Sequence, residues 1–264
     1  MQRVPSVPRH RQPQRGVALY VVLVFVMLSM LLALWASRTS LFNEMVVGND
    51  ADYQRASEAA QSLLLDAEMD IRGEKANGGY CSSPPTPPPT GSDPCRASTA
   101  AKIPLQTADL TTLLNTLAAQ APTQCLDGLC VKRTLAQDFW NNTDTTKGLT
   151  LAQMETHGVG ARYGQYTGAQ QGNYTTAPAN PILYWTATDP ATQGGWYWIE
   201  VLPYIESQGQ SLIVQTAGGN TPTKLQLTLI PPNVVYRITA LAYGRKPGTM
   251  VVLQETYAPQ KRMD

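Results

Sequence analysis

Twenty consecutive uncharged residues, Val17–Ala36 (VALYVVLVFVMLSMLLALWA), constrain this 264-residue chain more than any other stretch. At about 1.5 Å per residue, a helix of that length covers roughly 30 Å, the hydrocarbon thickness of a bilayer. Backbone amides find no water there, so the segment must bond its own, and a helix does so. The residues before it, MQRVPSVPRHRQPQRG, carry Arg3, Arg9, Arg11 and Arg15 and no acid. Pro5, Pro8 and Pro13 keep that leader out of a helix. Over the next sixteen residues after Ala36 the one Arg or Lys is Arg38. This asymmetry puts the N-terminus in the cytoplasm and the bulk of the chain outside.

Three membrane arrangements fit a basic start and an apolar run. A cleaved secretory signal has an apolar core of about 7–15 residues and small residues at −3 and −1 of the cut. Here the core is longer, and Leu34-Trp35-Ala36-Ser37 puts Leu at −3. An uncleaved signal anchor is the second arrangement. The third uses Gly16, at the border of leader and apolar run, where a cytoplasmic-side peptidase would leave Val17 as the new N-terminus.

The third arrangement resembles the class III signal of type IV prepilins. Arg15-Gly16-Val17-Ala18-Leu19, then Arg38, Glu44–Asn49 (EMVVGN) and Gln54–Ala60 (QRASEAA), resemble the N-terminal region of PilX-type minor pilins. Tyr236–Tyr257 is similar to the closing segment of that family, and Gly160–Ala169 to its middle. The resemblance implies an α+β, type IV pilin-like fold. Its long N-terminal helix would be transmembrane in the first half and packed on an antiparallel sheet in the second, with disulfide-pinned loops. It divides the chain into a cytoplasmic leader (1–16), a transmembrane and polymerisation helix (17–36), an amphipathic continuation (37–72) and a periplasmic or extracellular globular domain (73–264). It implies that a prepilin peptidase cuts between Gly16 and Val17, that the new terminus is methylated, and that the chain waits in the inner membrane before joining a pilus. The implied partners are other minor pilins, the major pilin and a large tip adhesin. One position departs from the common pilin pattern: the fifth residue after the cut is Val21, where most pilins carry Glu. In the family picture that acid helps dock a subunit beneath an existing one, so its loss suits the topmost place in a tip complex.

Charge excludes little: 20 basic residues face 19 acidic ones, and losing the four leader arginines leaves a small acidic excess. That is not the balance of a nucleic-acid binder. Many Tyr, Trp, Thr, Gln, Gly and Pro with only three Phe suit a polar-surfaced β domain with long loops. The four cysteines, Cys81, Cys95, Cys125 and Cys130, all follow the membrane segment. In an oxidising periplasm an even number reads as two disulfides. Three pairings are open, and the neighbour pairing, Cys81 with Cys95 and Cys125 with Cys130, is expected. Zinc would need a Cys-x2-Cys pair or histidine ligands, and neither occurs, so no metal is expected.

Along the chain, Ala56, Ala59, Ala60, Leu63, Leu64, Ala67 and Ile71 recur at helical steps, with Arg55, Glu58, Asp66, Glu68, Asp70 and Arg72 on the other faces. Gly48-Asn49-Asp50 is a place for a kink, and Gly73 a natural stop. Pro84–Pro89 lies in a loop that Cys81 and Cys95 would tie. Ala108–Gln120 reads as a short helix, and Asp127-Gly128 as a turn. Strands are expected at Ile182–Ala187, Trp196–Leu202, Ser211–Gln215, Lys224–Ile230, Val234–Tyr243 and Thr249–Tyr257. Trp185, Trp196, Tyr197 and Trp198 cluster as sheet packing or as a face for carbohydrate or protein.

Enzyme chemistry finds no support. His157 is the lone histidine beyond the leader, so a Ser or Cys nucleophile has no other imidazole base. No phosphate loop, His-Glu-x-x-His or cofactor fingerprint is present. The expectation is therefore a cofactor-free minor pilin at or near the tip of a type IV pilus, priming assembly and supporting twitching motility and attachment. A type II secretion tip pseudopilin and a signal-anchored periplasmic binding protein are the alternatives.

Overall fold

The structure is a computed structural model that describes residues 15–81, 94–96, 100–104, 107–134, 136–169, 182–186, 189–207, 210–213 and 234–259. It divides into two compact units, Met1–Asp50 and Ala51–Asp264. Helix α1, Arg15–Arg72, belongs to both and stays helical through Gly48-Asn49-Asp50.

In the first unit the helix exposes its apolar side chains. Ser29, within the apolar stretch, and Thr39, just past it, bond backward: Ser29 Oγ donates to the Phe25 carbonyl at 2.8 Å and Thr39 Oγ1 to the Trp35 carbonyl at 3.0 Å. A hydroxyl satisfied this way costs little in an apolar medium.

In the second unit α1 ends in a Schellman motif. Gly73, at φ 64°, donates its N–H to the Asp70 carbonyl, and Glu74 donates to that of Met69. Ala56, Ala59, Ala60, Leu63, Ala67 and Ile71 face a sheet and are buried. Helix α2, Thr107–Ala118, adds Leu110, Leu113 and Leu117 to the same core.

Among the described residues the sheet has seven strands, β1 (Cys125–Leu126), β2 (Leu129–Val131), β3 (Ala161–Arg162), β4 (Gly195–Ser207), β5 (Gln210–Ile213), β6 (Val234–Tyr243) and β7 (Met250–Tyr257). Its main path runs β1-β2-β4-β6-β7. β4 pairs antiparallel with β6 from Gly195↔Ala242 to Pro203↔Val234, and β6 with β7 from Tyr236↔Tyr257 to Tyr243↔Met250. β3 and β5 also pair antiparallel with β4, but β2 pairs with it in parallel. The sheet is thus mixed and mostly antiparallel.

Tyr197, Ile199, Val201, Tyr236, Ile238, Ala240 and Ala242 turn to α1. Gly195 lets the helix come close, because a Cβ there would collide with Leu63 and Leu183. The reverse face is covered by a second cluster of Trp196, Trp198 and Leu241 with Phe139, Met154 and the Cys125 and Cys130 pair. Phe139 meets Trp198 edge-on at 4.9 Å between ring centroids. Phe139 begins a short 3-10 turn, Phe139–Asn141, and Met154 ends helix α3, Leu151–Met154.

Three expectations change. Residues 182–186 are not a strand: 182–183 form a turn and 184–186 irregular chain, with Ile182 and Leu183 buried in succession instead of alternating. Asp66 and Asp70 lie on the buried side of α1, not on its solvated faces. The sheet contains a parallel pair, made by a strand of three residues. The expected strand Lys224–Ile230 lies outside the described residues.

Candidate functional site

The most unusual surface is that of α1 itself. An apolar span beginning at Val17 is long and apolar enough to cross a membrane, and none of its apolar window is buried inside the protein. Val17, Leu19, Tyr20, Phe25 and Trp35 are each 66% exposed or more. Val21 is 43% exposed, and the first carboxylate along the described helix is Glu44. A side-chain set of this kind is stable only against lipid or against other apolar helices. Gly16 lies within α1, one residue after its first, Arg15.

Within the second unit, three aspartates of α1 fasten separate segments to the helix. Asp52 accepts the backbone N–H groups of Arg245 and Lys246, each at 3.0 Å, from the β6–β7 hairpin. Burial would raise its pKa, but those N–H donors hold it below the ordinary value. Asp66 accepts the Gly164 N–H at 2.7 Å and a short bond from the Thr167 hydroxyl. Burial nevertheless pushes Asp66 up to about 7, with repulsion from Asp70 adding to it. Asp70 takes a two-pronged bond from Arg96, Nε to Oδ1 at 2.7 Å and Nη2 to Oδ2 at 2.6 Å, and a third from the Tyr197 hydroxyl at 2.9 Å. Arg96 also donates to the Asp127 carbonyl at 2.8 Å and lies 3.9 Å from the Tyr166 ring centroid.

Arg96 sits beside Cys95, which is bonded to Cys81 with Cα atoms 5.8 Å apart. Cys125 and Cys130 are bonded across the β1–β2 turn, Cα to Cα 4.1 Å. Behind the sheet, Glu200 is fully buried and accepts the Arg133 backbone N–H and Nε, each at 2.9 Å, and a short bond from Arg237 Nε. Burial opposes its ionisation, but the two guanidinium groups outweigh that and lower its pKa.

The tryptophans do not form an open face. Trp196 and Trp198 are 3% and 0% exposed, because β4 turns both into the second cluster. Their indole N–H groups are taken by the carbonyls of Ala191 at 2.8 Å and Met154 at 3.1 Å. Trp185 is half-buried and donates to the Tyr163 carbonyl at 2.8 Å. These contacts place Trp196 and Trp198 in packing and leave no ligand face on them. His157 is exposed and forms an isolated β-bridge with Gly160. Among the described residues no group of three His, Cys, Asp or Glu side chains is arranged to hold a metal.

The three-aspartate fastening was not legible from the sequence, because its partners lie 26 to 194 residues away. The one local hint was the position of Asp52, Asp66 and Asp70 at spacings near whole helical turns from the alanine stripe.

A sequence model described as "Type IV pilus assembly protein PilX C-term" matches residues 126–259, just over half the chain. The matched part runs from the end of β1 past the end of β7, and so holds nearly the whole sheet. No curated protein and no solved structure matches.

Proposed function

Because the chain belongs to the PilX family of type IV pilus assembly proteins, we propose that it is a minor pilin built into the pilus at or near the tip. The observation that carries this reading is α1, whose apolar span is exposed over its whole length. Before assembly that span rests in the inner membrane with the leader on the cytoplasmic side. Cleavage between Gly16 and Val17 by a prepilin peptidase frees it. It then leaves lipid for a core of like helices, exchanging one apolar environment for another at little cost.

Val21 favours the top of that core. A subunit with Glu there carries a charge that needs a partner on the subunit above, and a subunit with Val has no such need. The chain thereby joins other minor pilins, the major pilin and a large tip adhesin, primes assembly, and supports twitching motility and attachment. The second unit presents a fastened globular head to those partners. No step of this role uses a catalytic group or a cofactor.

The missing acid equally suits the tip pseudopilin of a type II secretion system. Deleting the chain separates the two. Loss of surface pili with secretion intact supports the pilus role, and loss of secretion with pili intact contradicts it. The anchored binding-protein reading loses its motivation, since two of its three tryptophans are core residues.

A further inference from the structure

A cavity of about 760 Å³ opens in the second unit between the β6–β7 hairpin, the turn at 190–194 and helix α3. From its geometry we propose that it is a docking socket for a short acidic and aliphatic peptide segment of a neighbouring pilus subunit. The inference rests on the pilus reading above and goes further by naming a surface and its occupant.

Both walls are held from behind. The hairpin wall hangs on Asp52 through the backbone N–H groups of Arg245 and Lys246. Gly244 allows that approach, since a Cβ there would collide with Asp52 and Thr249. The opposite wall hangs on Arg162, which donates to the carbonyls of Gln193 at 2.5 Å and Pro190 at 3.4 Å while stacked on Trp196 at 4.0 Å. At the base, the Tyr243 hydroxyl donates to Glu155. A socket fixed in this way need not be ordered by its occupant, which lowers the cost of binding.

The chemistry of the lining selects the occupant. Arg245 and Lys246 stand exposed on the hairpin side, and the described lining holds no acid. Lys246 also acts on Asp52 by charge. Leu151, Pro190 and Met250 give apolar wall, and Thr192 and Gln193 offer polar contacts on the opposite rim. Two cations over apolar wall complement a segment that carries carboxylates beside aliphatic side chains. The volume suits a few residues of chain rather than a whole folded element.

The test uses the full-length chain in piliated cells with p-benzoylphenylalanine at Thr192 or Gln193, and at exposed Lys147 as a control. Irradiation is expected to give an adduct at 192 or 193 and none at 147. Mass spectrometry should map it to another pilus subunit, within a few residues of Asp or Glu. The double variant Arg245→Gln, Lys246→Gln should weaken the adduct at least fivefold, and it leaves the hairpin in place because Asp52 is bonded to main-chain N–H groups. An adduct equal to the control, one unchanged in the double variant, one on a segment without acids, or one on glycan or lipid would overturn the proposal. The N-terminal mass is read from the same sample. A start at Val17 with no adduct removes the socket alone, whereas a start at Met1 counts against the pilin reading itself.

Discussion

Asp70 and Arg96 form a buried, two-pronged pair with 2% and 7% of their side chains exposed. Removing one partner leaves the other charged and dry, which costs about 3–5 kcal/mol. Asp70→Ala should therefore destabilise the second unit by about that much, read by denaturant titration of the full-length chain in detergent. Asp66 makes a prediction of different form. Its folded pKa, about 7, stands above its ordinary 3.8, so the folded state holds the extra proton between those values. Stability on account of Asp66 then falls as pH rises from near 4 to near 7. Glu155, pushed up to about 7 by burial against its Tyr243 bond, acts in the same direction. Asp52 acts oppositely, losing its contribution as pH falls. Melting temperatures of Asp66→Asn and the parent at pH 4.5, 6 and 7.5 check this: the variant should flatten the decline, and equal slopes would contradict it. None of the three aspartate roles was readable from residue type, since an Asp on an amphipathic helix is ordinarily solvated and the buried partners come from distant loops.

At the scale of elements, the sheet meets α1 through small residues. Leu63 is fully buried against Gly195, where a methyl group would collide with it. Gly195→Ala should cost about 1–3 kcal/mol by overpacking, and Leu63→Ala about 2–5 kcal/mol by leaving a cavity, both read as shifts in denaturation midpoint. Combined, the two should cost less than their sum, because the added methyl enters the space the leucine vacates. The long strands β4, β6 and β7 were legible from alternation, and α2 from its leucine spacing. β1, β2 and β3 were not, because strands of two or three residues carry too short a pattern to read. Their pairing depends on the Cys125–Cys130 turn and on β4 arriving from about seventy residues away. Trp196 and Trp198 were legible as an aromatic cluster, but the cover supplied by Phe139 and Met154 was not, so burial and display looked alike in the sequence.

For the molecule as a whole, the central matter is what α1 does with an exposed apolar surface that begins at Val17. If Val21 sets tip placement, Val21→Glu should spread the subunit along the pilus, and immunogold labelling should change from one end of the filament to its length. Unchanged end labelling would remove Val21 from the explanation. The broader claim, that the chain is processed and assembled as a pilin, is tested most directly by the mass of its N-terminus in sheared filaments. The account predicts a first residue of Val17, carrying a methyl group on its amine. A chain that begins at Met1 would contradict it.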